Sequence, residues 1–242
     1  MIYYIILSKI DIIIFILYFI FIMNSSCKIE SNKREIISIE GNIGSGKTTL
    51  VNKLQESFNQ NFVFLEEPLD EWLQIKDENE NTILSKFYSD QCKYSFPFQM
   101  MAYISRLNKL KENIKQHDKH IFTERSLSTD KFVFAKMLYD NKLMDTCEYQ
   151  IYNKWFDSFN QETAITKIIY VKTDPVICNE RVNKRCREGE NNISQDYLNK
   201  CHLYHEEMIK KQNIPILVLD GNDNVFDDNI INVWKNKIST FI

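Results

Sequence analysis

Residues Gly41 to Leu50, GNIGSGKTTL, hold three of the chain's five glycines and fit the pattern G-x-x-x-x-G-K-[ST]. Glycines at this spacing let the backbone come close to a ligand and turn successive N–H groups inward around phosphates. A helix N-terminus behind the loop adds partial positive charge. Lys47 can reach the β- and γ-phosphates, and the Thr48 hydroxyl can ligate Mg²⁺. The loop, Gly41, Asn42, Ile43, Gly44, Ser45, Gly46, Lys47, Thr48 and Thr49, is thus a candidate cradle for ATP or GTP, silent about the acceptor. A second chemical group stands in EEPLDEW, Glu66 to Trp72. A carboxylate there can take the proton of a hydroxyl nucleophile, and it would repel an acceptor that already carried phosphate. This favours a neutral alcohol over a nucleotide. By itself Glu-Pro also fits a helix N-terminal turn, which attracts acids.

Both groups depend on strands and helices to bring them together. REIISIE (Arg34 to Glu40) reads as a buried strand ending at the glycine loop, with a helix starting near Gly46. NFVFLEE, HIFTERS, KIIYVKTDP and IPILVLDGN read as four more strands, each short, apolar and flanked by helical pattern. Such runs suit parallel strands covered on both faces. Phe96, Met100, Met101, Ile104, Leu107 and Leu110 recur at helical spacing, as do Phe134, Met137 and Leu138, and Ile230, Ile231, Trp234 and Ile238. Alternating strands and helices predict right-handed crossovers and a doubly wound α/β fold with a five-stranded parallel sheet. Its ligand crevice lies at the strands' carboxyl ends, where Gly41, Glu67 and Glu124 all fall.

The chain has 242 residues, 44% hydrophobic and 26% charged, with a formal net charge of −3. It is long enough for one sizeable domain, and it lacks the basic excess of a nucleic-acid groove. Six cysteines lie far apart with no C-x-x-C pair, which predicts reduced thiols in a cytosol-like compartment. His202 and His205 follow Cys201 in a charged helical stretch and read as surface residues, not metal ligands. Residues 1–23 are almost wholly apolar, broken by Ser8, Lys9 and Asp11. They read equally as a membrane anchor or as a non-native extension before Met23, and they are the chain's one route to a membrane. Residues 24–34 form a polar linker, and 35–242 the main domain, placed on the cytoplasmic side.

IEGNIGSGKTTL, EEPLDEW, FPFQMMAYISRL, FTERSLSTDKFVFA, RVNKRCREGE and DYLNKCHLYHEE occur in the order and spacing of the deoxynucleoside kinases. The chain resembles that family, which includes deoxycytidine, deoxyguanosine, deoxyadenosine and insect multisubstrate kinases, over roughly residues 35 to 225. The resemblance implies a P-loop NTPase fold with an arginine-rich lid. It implies Mg²⁺- and ATP-dependent phosphorylation of a deoxynucleoside 5′-hydroxyl, commonly by a homodimer. Its motif selects Glu67 over Glu66 as catalytic base. Glu124 and Arg125 match the magnesium-associated carboxylate and the phosphate-side arginine. An acid there extends the Thr48 metal site, and an arginine neutralises charge on a moving phosphoryl group. RVNKRCREGE matches the lid, with Arg181, Arg185 and Arg187 toward the triphosphate. Arg181 and Arg185 share a helix face, and a loop must turn Arg187 inward.

Substrate-side residues come from the same resemblance. Gln99 matches the glutamine that pairs with the base edge. Trp72, Phe98 and Phe134 match pocket-lining positions, while Phe96 reads as plain core. Tyr88 and Glu190 match residues that meet the sugar 3′-hydroxyl, although the lid departs from the common pattern at Gly189 and at Ile193-Ser194. Arg106 and Asp130 match a pair found in relatives that use deoxycytidine or purines. Thymidine-using relatives carry uncharged residues there. The resemblance therefore favours deoxyadenosine, deoxyguanosine or deoxycytidine over thymidine. LDGNDNVF (Leu219 to Phe226) matches a loop packed on the donor adenine. Two rival readings stay open: a thymidylate-type nucleoside monophosphate kinase, and a silent kinase-like scaffold. The second class tends to lose Lys47, Thr48, Glu67, Glu124 and Arg125, all present here.

Overall fold

A computed structural model describes residues 34–159, 163–187, 190, 193–224 and 227–242. Expectations placed on residues 1–33, on Glu188 and Gly189 in the lid, and on Val225 and Phe226 lie outside the described residues. Strands β1 (Ile36–Glu40), β2 (Phe62–Leu65), β3 (His120–Glu124), β4 (Lys167–Lys172) and β5 (Ile216–Asp220) pair in parallel in the order β2-β3-β1-β4-β5. The five expected strands all form. β2 stops before Glu66-Glu67-Pro68, because a proline cannot donate to the ladder, and both carboxylates are released from the sheet.

β1 alternates strictly. Ile37 and Ile39 point to a core with Leu50, Val51 and Leu54 of α1 (Lys47–Phe58) and Trp234 and Ile238 of α10 (Asp228–Phe241). Ile36 faces the other way, with Ile121 and with Leu110 of α4 (Gln91–Gln116). Each such side chain contributes about 1.5–3 kcal/mol on burial. With both faces covered, β1 sits at the sheet's centre, where strand order reverses; its carboxyl end opens into the crevice.

Between β2 and β4 the chain builds a second apolar cluster from α2 (Leu69–Gln74), α3 (Ile83–Ser89), α4 and α7 (Thr146–Phe159). After β3, a turn of helix α5 (Leu127–Thr129) runs into a π-helical segment, Asp130–Ala135, and then α6 (Lys136–Asp140). The apolar spacing of Phe134, Met137 and Leu138 predicts a helix but does not reveal the π turn, a form frequent at functional sites. Helices α8 (Pro175–Arg185) and α9 (Gln195–Lys210) flank the lid before β5. Among the described residues no helix is long and apolar enough to cross a membrane.

Candidate active site

The glycine loop leaves β1 and bends through two residues that demand glycine. Gly44 has φ +78°, and a Cβ there would stand 2.5 Å from the Cys178 carbonyl oxygen. Gly46 has φ +97° and caps α1 with no side-chain bond, so the first N–H groups of the helix stay open. Ile43, Gly44 and Gly46 to Thr49 line a cavity of about 480 Å³. Gly41, Asn42 and Ser45 stand behind that wall. The Asn42 side chain donates to the Leu198 carbonyl at 2.9 Å and so ties the loop to α9. Lys47 Nζ donates to the Asn42 carbonyl at 2.8 Å. Burial and the Arg125 charge lower the Lys47 pKa to about 8, against the opposing pull of Glu124 and Glu67.

Glu67, Arg106, Glu124, Arg125 and Asp130 converge on the same cavity. Glu66 is exposed, which separates the two adjacent carboxylates as the motif predicts. Glu67 Oε1 accepts from Arg125 Nε at 2.9 Å and from Arg106 Nη2 at 3.2 Å. Burial alone would raise the Glu67 pKa. The charges of Arg125, Arg106 and Lys47 outweigh it and hold the carboxyl at about 2. Arg106 spends its other nitrogens on Asp130 Oδ2 at 2.9 Å and on the Glu124 carbonyl at 2.8 Å. The expected Arg106–Asp130 pair is therefore real, and it reaches the carboxylate as well.

Arg125 occupies the left-handed region, φ +63°, a conformation costing a non-glycine residue about 1–3 kcal/mol. Its surroundings over-determine it. Its N–H donates to the Ile39 carbonyl at 3.0 Å, and its own carbonyl accepts from the Thr123 hydroxyl at 2.9 Å. The next residue, Ser126, donates to Glu40 Oε1 at 2.7 Å. Glu40 is a wholly buried carboxylate that also accepts from Ser38 and Thr129. The turn presents Glu124 and Arg125 side by side. Thr48 Oγ1 donates to Glu124 Oε1 at 2.9 Å, while Glu124 Oε2 is buried without a hydrogen-bond partner. Burial and the Glu67 charge push the Glu124 pKa up, against Lys47 and Arg125.

Away from the loop the cavity becomes aromatic. Trp72 meets Phe98 edge-on at 5.3 Å, and Phe98 stacks on Phe87 at 4.6 Å. Trp72 Nε1 donates to Ser105 Oγ at 2.9 Å, which fixes the indole. Gln99, buried beside them, leaves Oε1 without a hydrogen-bond partner. That orphan acceptor in an apolar slot suits a ligand donor group. Tyr88 and Glu190 also line the cavity; burial and the Glu190 charge raise the Tyr88 pKa well above its ordinary value. Phe96 packs half-buried on the helical cluster.

The lid turns as expected. Cys186 ends α8 in the left-handed region, φ +46°, and brings Arg187 back toward the cavity. Arg181, Arg185 and Arg187 all line it, yet each is already engaged. Arg181 donates to the Gly221 and Asp223 carbonyls at 2.8 and 2.9 Å, bridging α8 to the loop after β5. Arg185 and Arg187 pair with Glu190 at 2.5 and 3.4 Å.

All the expected substrate and metal side chains reach the cavity. Leu84, Phe87, Lys184 and Tyr197 line it too and have no place in the sequence reading. Leu84 and Phe87 belong to α3, whose Ile83-Leu84-x-x-Phe87 stripe carries a helical period. One reading is corrected. His205, expected at the surface, is completely buried, whereas His202 is partly covered. Leu198, Cys201, His205 and Met208 form the buried stripe of α9 at steps of three, four and three, a period visible once histidine is counted among apolar positions.

A glycine loop at the switch point of a parallel sheet, faced by a carboxylate across one cavity, defines an α/β P-loop phosphotransferase. The deoxynucleoside kinase family profile matches residues 37–242. The chain is 35% identical over 208 residues to a probable deoxycytidine kinase of fowlpox virus (strain NVSL), covering 83% of each chain. It is 31% identical over 248 residues to the deoxycytidine kinase of Homo sapiens, covering 89% of this chain and 95% of that one. It is 29% identical over 251 residues to the mitochondrial deoxyguanosine kinase of Xenopus laevis, covering 90% and 94%. The chain belongs to the deoxynucleoside kinase family and is a transferase of that class.

Proposed function

We propose that the protein transfers the γ-phosphoryl group of ATP to the 5′-hydroxyl of deoxyadenosine, deoxyguanosine or deoxycytidine, in preference to thymidine, as a step of nucleotide salvage. The observation that carries this reading is the placement of Glu67 in one cavity with Lys47, with an aromatic slot beyond it. Glu67 receives the hydroxyl proton. Lys47, Arg125 and the lid arginines hold charge on the transferred group. Gln99 reads the base edge, Trp72, Phe98 and Phe134 enclose it, and Tyr88 and Glu190 take the 3′-hydroxyl.

Thr48 and Glu124 would hold Mg²⁺. The unpartnered buried Glu124 Oε2 supports the fit, as does an all-oxygen donor pair for a hard cation. No group of three or more His, Cys, Asp or Glu side chains is gathered as a metal cage among the described residues; Mg²⁺ commonly uses one or two carboxylates with substrate phosphates. The ion supplies charge neutralisation to the phosphates.

A coupled ATP-consumption assay over the four deoxynucleosides and their monophosphates tests the reading. Turnover is expected with deoxyadenosine, deoxyguanosine or deoxycytidine and little with thymidine; turnover on monophosphates alone would favour the thymidylate-type enzyme and discard it. A protein that bound no ATP would favour the scaffold.

The depressed Lys47 pKa sets a pH dependence. A triphosphate favours the ammonium, so binding restores a proton wherever the free enzyme has lost it. Above about pH 8 binding should therefore take up close to one proton and weaken with rising pH; below about pH 7 uptake should vanish. Calorimetry in two buffers of different ionisation enthalpy measures this, and zero uptake at about pH 9 contradicts it.

The homodimer forms part of the same proposal. Ile104 of α4, Phe132 of the π segment and Ile151 and Trp155 of α7 are exposed apolar side chains, and Tyr103 links α4 to the Trp155 carbonyl at 3.2 Å. A second copy covering this face would remove it from water. Trp155→Glu with Ile151→Lys is expected to shift the sedimenting species from dimer to monomer; an unchanged dimer would place the interface elsewhere.

A further inference from the structure

Behind the cavity wall, α9 brings a wholly buried imidazole against the phosphate-side arginine. His205 Nδ1 lies 2.7 Å from the Cys201 carbonyl oxygen one turn back. A carbonyl can only accept, so Nδ1 carries the proton and Nε2 is left with its lone pair. That lone pair stands 3.3 Å from Arg125 Nη1. The Gly41 carbonyl accepts from the same Nη1 at 2.8 Å, and Glu67 takes Nε at 2.9 Å. Phe134 closes the arrangement: its ring meets the imidazole edge-on at 6.1 Å, and the Arg125 guanidinium carbon sits 4.9 Å over it. Arg125 Nη2 makes no hydrogen bond to the described residues, and the side chain lines the cavity.

We propose that His205 is a positioning residue for phosphoryl transfer, a neutral acceptor that fixes the Arg125 guanidinium so that its remaining donors meet the moving group. The inference rests on the reading of Arg125 as the phosphate-side arginine. Charge is what makes an imidazole suitable. A carboxylate at this position would orient Arg125 as firmly, but it would compete with the phosphoryl oxygens for the guanidinium's charge. An apolar residue would leave a buried N–H unpaired. A neutral Nε2 supplies direction and adds no second negative charge beside the Glu67 carboxylate that Arg125 already holds. Burial and the adjacent Arg125 charge hold the imidazole pKa well below its ordinary value, with Lys47 acting in the same sense. The chain placement adds a consequence: α9 leads directly from the lid, so the helix that ends the lid also carries the support for Arg125.

Two variants separate positioning from packing. His205→Phe keeps an aromatic ring against Phe134 and removes the acceptor. His205→Gln returns a neutral acceptor close to the Nε2 position. His205→Phe is expected to lower kcat about tenfold, the effect of leaving one buried donor of a catalytic arginine unpaired. The KM for deoxynucleoside should stay within about twofold, and His205→Gln should recover most of the turnover at the same Tm. In an Arg125→Ala background His205→Phe should cause no further fall. ¹⁵N NMR should place the imidazole proton on Nδ1. Unchanged kcat in His205→Phe, a loss in both variants that follows Tm, or a proton on Nε2 would overturn the inference. Loss of turnover in Arg125→Ala with full turnover in His205→Phe overturns it alone. Full turnover in Arg125→Ala removes the reading of Arg125 beneath it.

Discussion

Glu67→Gln is expected to lower kcat by about 10²- to 10⁴-fold, the range for losing a general base, with a much smaller change in deoxynucleoside Kd. Glutamine keeps the shape and still accepts from Arg125 or Arg106, but it cannot take a proton. The arginines that hold Glu67 at about 2 make it a weak base at neutral pH. In a loose phosphoryl-transfer transition state the proposed role of the carboxylate would be first to aim the hydroxyl and then to receive its proton.

The same shift has a signed consequence. A carboxyl whose folded pKa lies below its unfolded value contributes stability present above the unfolded value, about 4.5, and lost as pH falls through about 2. Activity limited by this group should likewise stay level down to about pH 4. Steady-state kcat with calorimetric Kd decides; undiminished turnover in Glu67→Gln removes it from the role.

The Arg106–Asp130 pair carries the second large effect. Both side chains are buried, and Asp130→Ala leaves Arg106 with only the Glu67 carboxylate, which Arg125 shares, at a cost of up to about 3–5 kcal/mol, that of a broken buried pair. Asp130→Ala alone is therefore expected to lower Tm sharply and to slow turnover, because Arg106 also holds Glu67 Oε1. Replacing both, Arg106→Met with Asp130→Ala, should restore most of the stability and make room for a 5-methyl group, raising kcat/KM for thymidine relative to deoxycytidine. Thermal unfolding and the four-substrate assay read both effects. A double variant less stable than the single one, or one still rejecting thymidine, would contradict the assigned role.

The elements that sequence made legible are those governed by local chemistry. Gly44 and Gly46 sit where φ is positive, and five apolar runs became five parallel strands; β1, β3 and β4 are buried on both faces, whereas the edge strand β5 leaves Val218 exposed. Glu67 was separable from Glu66 only through its motif; in the structure the strand ends before both, Glu66 is exposed, and Arg106 and Arg125 hold Glu67 in the cavity. Long-range pairing was legible only for Arg106 and Asp130, through the resemblance. Arg125 and His205 lie 80 positions apart, and a polar residue on a charged helix gives no sign of which neighbour will cover it. Glu40 was passed over for the same reason: a carboxylate at the end of an apolar strand is explained only by Ser126 and Thr129 beyond β3. The lid arginines were expected toward the triphosphate only through the resemblance, and their pairing with Glu190 depends on the left-handed turn at Cys186, a conformation that sequence rarely announces outside glycine.

A crystal structure with a deoxynucleoside and a non-transferable ATP analogue would show whether Glu67 faces the acceptor. The substrate O5′ is expected within about 2.6–3.2 Å of a Glu67 carboxylate oxygen and in line with the terminal phosphate beside Lys47. A Glu67 still held only by Arg106 and Arg125, with O5′ directed elsewhere, would contradict it.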